Sequence, residues 1–297
     1  MTDSIMRWLQ ATDINEALLA IPEIERSDAK VLSGKSSPVF KTANEVYRFA
    51  TSRWTAEQFL KEKSVLDELK GQAPFFTPIV THFSTEPVYI AQELLPGIQA
   101  NSAWFSRQDP DCKDRLIKCM AYFLAWLHDL DSSRFNIADT KHGEAIADRF
   151  DVYIDAFSQL EHGKELASFA SDTFRMLAVL NTSDIQPSLL HGNFVLQNCL
   201  VEESTASLLS VVDFTVCWIG DYHWDFTVLR GGVGDRYFAK ILEVYSRITR
   251  KIPNISLIMA LERTQLCHFL YWIKGGAVQD AIVSDIRNWS PLDTANT

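Results

Sequence analysis

The sequence predicts an α/β chain of the α+β type in two lobes, and three observations predict it. Short β-like runs separated by turn residues fill the first third, from Ala29 to Gln92, around one helical stretch. Beyond Gly97 the apolar residues recur mainly at helical spacing. Between Leu189 and Val216 that texture breaks into short β-like pieces, SLLHGN, NCLVEE and SLLSVVDFTV, which form a small polar insert in the helical part. The expected domains are 1–94, holding an N-terminal helix and the strand-rich lobe, and 95–297, the helical lobe.

Each element follows from local pattern. Ile5, Leu9, Ile14, Leu18 and Leu19 predict an amphipathic N-terminal helix. AKVLSGKSSPVFKTANEVYRFAT predicts two or three strands, with turns at Gly34–Ser37 and around Ala43-Asn44. Trp54 to Lys70 is a helix, apolar at Phe59, Leu60, Val65, Leu66 and Leu69. After the breaks at Pro74 and Pro78 come strands over Ile79–Phe83 and Val88–Gln92, then a turn at Pro96-Gly97. Lys113 to Leu130 is apolar on more than one side, which predicts a buried central helix. Further helices are expected over Gly143–Leu160, Lys164–Asn181, Tyr237–Ile248 and Ser256–Ile273.

Composition narrows the function. The 28 basic and 38 acidic residues give a formal net charge of -10, so the chain has no overall attraction for nucleic acid or anionic lipid. The five cysteines are odd in number and contain no C-x-x-C pair, which argues for indifferent thiols in a reducing compartment. The N-terminus lacks the pattern of a secretory signal, and no apolar stretch approaches the ~20 residues that span a bilayer. The expected location is the cytoplasm, with no membrane partner.

The chemistry concentrates in His191-Gly192-Asn193-Phe194-Val195-Leu196-Gln197-Asn198, then Val211-Val212-Asp213-Phe214, then Gly220-Asp221-Tyr222-His223-Trp224-Asp225. Metal-dependent phosphoryl transfer needs a group that orients the acceptor hydroxyl, oxygen ligands for magnesium and a cation on the donor phosphates. Asn198 and Asp213, an amide and a carboxylate next to β-turns, supply two such ligands.

These segments resemble the catalytic loop of the aminoglycoside phosphotransferase and choline kinase superfamily, small-molecule relatives of the protein kinases. That loop reads H-G-D-x-x-x-x-N, followed by a strand ending in the metal-binding Asp and by G-D-P-x-x-D. His191, Gly192, Asn198, Asp213, Gly220, Asp221 and Asp225 match in identity and order, and Tyr222 replaces the proline. The resemblance spans roughly residues 25 to 230 and implies a protein-kinase-like fold with an antiparallel-sheet N-lobe. It implies a nucleotide-covering hairpin turn at Gly34, Ser36 and Ser37, a phosphate-holding Arg48 and its helical partner Glu62. It also implies a hinge in which backbone groups near Gln92–Leu94 meet the adenine edge. The implied cofactors are ATP or GTP and Mg2+, the latter on Asn198 and Asp213. The implied partner is a small-molecule acceptor such as an aminoglycoside, another hydroxylated antibiotic or an amino alcohol. The net charge leans towards a cationic one, and the protein is expected as a monomer or homodimer.

One departure bears on activity. The family's catalytic aspartate is Asn193 here, and an amide can orient a hydroxyl but cannot take its proton. The sequence is consistent with an impaired or trapped phosphotransferase and with a pseudokinase-type binding protein. A protein kinase in the stricter sense is disfavoured, because Asp213-Phe214 is followed by Thr215 and no Ala-Pro-Glu occurs.

Other residues receive plainer readings. Gly34-Lys35-Ser36 is not a P-loop, because the glycine required five residues earlier is Ala29. His191 is expected to fasten the loop, and His223 to be a partly exposed ring beside Asp221. Asp221 is expected to accept backbone N–H groups of the loop, and Asp225 to begin a helix. Ala125-Trp126-Leu127-His128 is a structural helix end. Asp109-Pro110-Asp111 and Glu202-Glu203 read as solvated turns. Arg230 either approaches substrate or ends a helix. Trp218, Trp224 and Trp272 read as core residues, with stacking on an organic cation as the alternative.

Overall fold

The computed structural model describes residues 30–32, 38–86, 88–137, 149–180, 186–273 and 275–292. The N-terminal helix, the Gly34–Ser37 turn and the start of the Gly143–Leu160 helix lie outside the described residues. The chain divides into two compact units. One takes the residues up to Ala100 with Ser133–Ile137 and Gln197–Cys217; the other takes Asn101–Ser132, Ala138–Leu196 and Trp218–Thr297.

The first unit is built on a five-stranded antiparallel sheet of β1 (Lys30–Leu32), β2 (Val39–Lys41), β3 (Glu45–Phe49), β4 (Val80–Thr85) and β5 (Val88–Glu93), in the order β1-β2-β3-β5-β4. β5 lies between β3 and β4, and Val88 to Gln92 are all buried, so this strand reads as a continuous apolar run. β3 is less enclosed and buries Tyr47 and Phe49. Helix α1 (Arg53–Leu69) starts where Ser52 accepts the Thr55 N–H. Its buried stripe includes Ala56, Phe59, Val65, Leu66 and Leu69, and Ala56 and Phe59 pack with Ala50, Val88 and Ile90. Glu62 lies in the same stripe, and a buried carboxylate requires partners.

A second sheet of this unit joins β6 (Ile98–Gln99), β8 (Cys199–Val201) and β9 (Leu208–Val211). Gly97 enters β6 at φ 107°, where a Cβ would lie 3.0 Å from the Val201 carbonyl, so only glycine suits the turn.

The second unit contains α2 (Ser102–Arg107), α3 (Pro110–Asp129), α4 (Phe150–Ser158), α5 (Gly163–Ala178), α6 (Arg230–Val233), α7 (Asp235–Thr249), α8 (Ile255–Trp272) and α9 (Gly276–Arg287), with a short ladder of β7 (Ser188–Leu190) and β10 (Trp218–Gly220). α3 is the buried central helix that its pattern predicts: Leu116, Ile117, Met120, Phe123, Leu124 and Leu127 are all enclosed. It begins earlier than expected. Asp109 caps it by accepting the Cys112 N–H and Pro110 is its first residue, so this acidic tract is a helix start and not a turn. α9 has no counterpart among the expected helices, because it opens on Gly275-Gly276 and buries only Ile282 and Ile286.

All five cysteines are described and none forms a disulfide. Burial pushes the Cys267 thiol up to about 12 and raises Cys199 as well, so both stay protonated and inert at neutral pH. Trp218 and Trp224 are core residues in T-shaped contact with their ring centroids 6.0 Å apart, whereas Trp272 is 58% exposed.

Gly220 carries a measurable consequence. The Trp218 ring lies over it, so that a Cβ at position 220 would overlap the ring. Gly220→Ala is expected to cost roughly 1–3 kcal/mol through displacement of that buried ring. A lowered midpoint in urea unfolding with quenched or shifted Trp emission would register it; an unchanged midpoint would refute it.

Candidate active site

Five of the candidate residues, Arg48, Glu62, Gln92, Asn198 and Asp213, come together within the first unit. Arg48 on β3 donates through Nη1 to Glu62 Oε1 at 2.8 Å, and its guanidinium stands over the Phe59 ring at 5.0 Å. Glu62 is fully buried and accepts one more donor, Gln92 Nε2 on Oε1 at 3.1 Å, while the Thr215 hydroxyl oxygen lies 3.1 Å from Oε2. Oε1 of the buried carboxylate of α1 thereby accepts two donors, one of them charged. Burial pulls the Arg48 pKa down, but the charges of Glu62 and Asp213 and the hydrogen bond to Glu62 outweigh it, leaving the net shift upward. Arg48 is a permanent, oriented cation.

Asp213 follows β9 with its backbone at φ 68°, in the left-handed region that Asp tolerates better than most residues. Its Oδ1 takes the Thr215 hydroxyl at 2.6 Å and lies 3.7 Å from Arg48 Nη2. Oδ2 has no partner among the described residues, and the side chain is 42% exposed. Asn198 ends a 3-10 turn ahead of β8. Its carbonyl accepts the Val212 N–H at 2.9 Å, which brings it to the same end of the β8–β9 hairpin as Asp213. An amide and a carboxylate are hard oxygen donors of the kind magnesium takes. Among the described residues no cluster of three or more His, Cys, Asp or Glu side chains is arranged to hold a metal. The donor set therefore fits a cation that completes its shell with phosphate oxygens and water.

The hinge segment differs from expectation in its donors. Gln92 sits in the ladder opposite Val46 and Val80, and its side chain serves Glu62. The N–H groups of Glu93 and Leu94 are spent on the carbonyls of Ile79 at 3.0 Å and Asn44 at 2.7 Å. A base edge meeting this stretch would not find those two donors. The next N–H, that of Leu95, has no partner among the described residues. Gly34, Ser36 and Ser37 lie outside the described residues.

Asn193 belongs to the second unit, on a loop anchored by Asp225. The fully buried Asp225 carboxylate accepts the His191 N–H at 2.8 Å on Oδ2 and the Gly192 N–H at 2.7 Å on Oδ1. His128 Nε2 meets Oδ2 at 3.0 Å, and Tyr245 Oη lies 3.1 Å from His128 Nδ1. Burial, then the neighbouring Tyr222 and Asp225, raise the Tyr245 phenol far above its ordinary range, so it keeps its proton at neutral pH. His128 thereby bridges Asp225 and Tyr245 in the interior, a structural use of the Ala125–His128 helix end, as expected. His191 is fully buried, with Nδ1 3.4 Å from the Asn193 backbone nitrogen.

The two aspartates exchange the roles expected from sequence. Asp225 holds the loop, and Asp221 caps the 3-10 turn Tyr222–Phe226 through the His223 N–H at 3.0 Å. His223 is buried, not partly exposed: Nδ1 bonds Asp221 at 2.6 Å and Nε2 accepts the Asn254 N–H at 2.9 Å. Tyr222, in place of the expected proline, stacks on His223 with centroids 4.1 Å apart, and burial beside Asp221 pushes its phenol up to about 12. Arg230 opens α6 and holds Asp235, Glu262 and the carbonyl of Ser290, which is a structural use. Thr215 and His128 are the members of these networks whose partners the sequence did not indicate.

A sequence profile of the phosphotransferase enzyme family matches residues 28–253. The chain belongs to that family. A search of curated proteins returned no match. Among solved structures, this phosphotransferase-family chain superposes on the GDP complex of wild-type aminoglycoside 2'-phosphotransferase-IIIa with a TM-score of 0.80, at 16% identity over 92% of this chain and 95% of that one. The streptomycin–ATP ternary complex of APH(2'')-IIa gives 0.69 at 17% identity, over 95% and 98%. The macrolide 2'-phosphotransferase MphH of Brachybacterium faecium gives 0.67 at 15%, over 93% and 98%. At these identities the shared feature is the fold, an antiparallel-sheet N-terminal part and a helical C-terminal part of kinase type. No helix among the described residues is long and apolar enough to cross a membrane.

Proposed function

We propose that this chain binds ATP or GTP and has the architecture to transfer the γ-phosphoryl group to a hydroxyl of a small molecule, with transfer impaired by Asn193. The observation that carries the reading is the Arg48–Glu62–Thr215–Asp213 network: an oriented cation beside a half-open carboxylate, next to the asparagine that precedes β8. In this reading Arg48 holds donor phosphate oxygens through its fork. Asp213 Oδ2 and the Asn198 side chain hold magnesium, which when bound neutralises charge on the phosphates. Asn193, on the loop anchored by Asp225, orients the acceptor hydroxyl without removing its proton. The acceptor classes follow from the neighbours, whose names include aminoglycoside and macrolide phosphotransferases, and from the net charge of -10, which leans towards a cationic molecule.

The second reading, a nucleotide- or ligand-binding protein without transfer, is favoured by the amide at position 193 itself. One experiment separates the two. Phosphate transfer from ATP and GTP is measured across aminoglycosides, macrolides, peptide antibiotics and amino alcohols, for this protein and its Asn193→Asp variant. Transfer by the variant supports the enzyme reading and names the acceptor. Absence of transfer by both, with magnesium-dependent nucleotide binding retained, supports the binding protein.

A further inference from the structure

Thr215 is buried two residues beyond Asp213, and its hydroxyl is reached by three charged side chains. Arg48 Nη2 donates to Oγ1, Asp213 Oδ1 lies at 2.6 Å and Glu62 Oε2 at 3.1 Å. A threonine hydroxyl has one proton and two lone pairs. With one lone pair accepting from Arg48, the shorter contact assigns the proton to Asp213. Arg48 and Asp213 themselves stand 3.7 Å apart, at the long end of an ion pair, and the hydroxyl spans that gap.

We propose that Thr215 is a positioning residue that holds the Asp213 carboxylate with Oδ1 occupied and Oδ2 presented to a divalent cation, so coupling cation binding to the Arg48 grip on the donor phosphates. The proposal rests on the nucleotide-binding reading given above. Without the hydroxyl, an Arg48 donor and Asp213 Oδ1 each lose a partner. The two side chains are then drawn into a direct ion pair, and the carboxylate is engaged by arginine where a cation needs it. Groups that orient a metal ligand in this way typically alter metal affinity by roughly 10–100-fold when removed.

The test is calorimetric titration of ADP and of GDP in magnesium chloride and in EDTA, with the unaltered protein and the variants Thr215→Val, Thr215→Ala and Thr215→Ser. Valine and alanine are expected to reduce the magnesium-dependent gain, read as the ratio of affinity in magnesium to affinity in EDTA, roughly 10–100-fold. Serine, which restores the hydroxyl, should match the unaltered protein. A full magnesium gain in the valine or alanine variant overturns the role of Thr215 and leaves the nucleotide reading standing. Equal loss of affinity with and without magnesium overturns it in favour of a purely structural role. If the unaltered protein binds neither nucleotide in magnesium, the nucleotide reading itself fails and this inference fails with it.

Discussion

Asn193→Asp should raise the rate of phosphoryl transfer by about 10²–10⁴, the range that a positioned general base contributes. That corresponds to about 3–5 kcal/mol of activation free energy. The change replaces an amide NH2 with an oxygen of nearly the same size. The backbone bonds around the position do not involve the altered atoms: the Val195 N–H donates to the Asn193 carbonyl at 3.0 Å, and the Asn193 nitrogen lies 3.4 Å from His191 Nδ1. Position 193 is partly exposed, so the new carboxylate stays hydrated and needs no buried counter-charge. The gain should fall on kcat, because Arg48, proposed to hold the donor phosphates, and Asn198 and Asp213, proposed to hold magnesium, are untouched. Steady-state kinetics with an acceptor from the panel would register it. A rise confined to nucleotide KM would contradict the base role of this position.

Asp225→Ala is expected to be the most destabilising substitution in the second unit, at about 3–5 kcal/mol. The carboxylate is fully buried and accepts from the His191 and Gly192 backbone N–H groups and from His128. Removing it leaves the three donors without their acceptor, two of them on buried residues, and breaks the link from the loop to Tyr245 through His128. Thermal unfolding should show a midpoint lowered by roughly 6–20 °C, given about 2–4 °C per kcal/mol for a domain of this size. Asp221→Ala removes a cap on a short turn with one partly exposed carboxylate, and should cost much less. If the two substitutions prove equally costly, the anchoring role assigned to Asp225 is wrong.

That pair shows where sequence reading stops. Asp221 and Asp225 both belong to a legible motif, and the motif identifies them as important. Which of them reaches the loop depends on how the chain turns between Gly220 and Phe226. The 3-10 turn directs Asp221 back onto His223 and sends Asp225 inward to residues more than thirty positions earlier. The hinge has the same logic. Its run Val88–Gln92 predicts a strand, but which N–H groups remain open is decided by Ile79 and Asn44 on the neighbouring segments. Asp109-Pro110 was readable as a helix start from cap chemistry alone, because Asp before Pro satisfies both the cap and the first position.

The sequence by itself determined the family-level features: the order of strands and helices in the first third, the central helix α3, and the spacing His191 to Asn198 to Asp213 that belongs to a phosphotransferase loop. These are local, since periodicity, caps and motif spacing act over a few residues at a time. It also determined the pairing of Arg48 with Glu62, through the family's ordered motifs. Only the tertiary structure decided what completes the site. Thr215 meets Glu62 across 153 positions and Arg48 across 167, and one hydroxyl becomes the link between the Arg48 cation and the Asp213 carboxylate. A hydrogen-bond partner is chosen by proximity after packing, and no local pattern in the chain carries that distance.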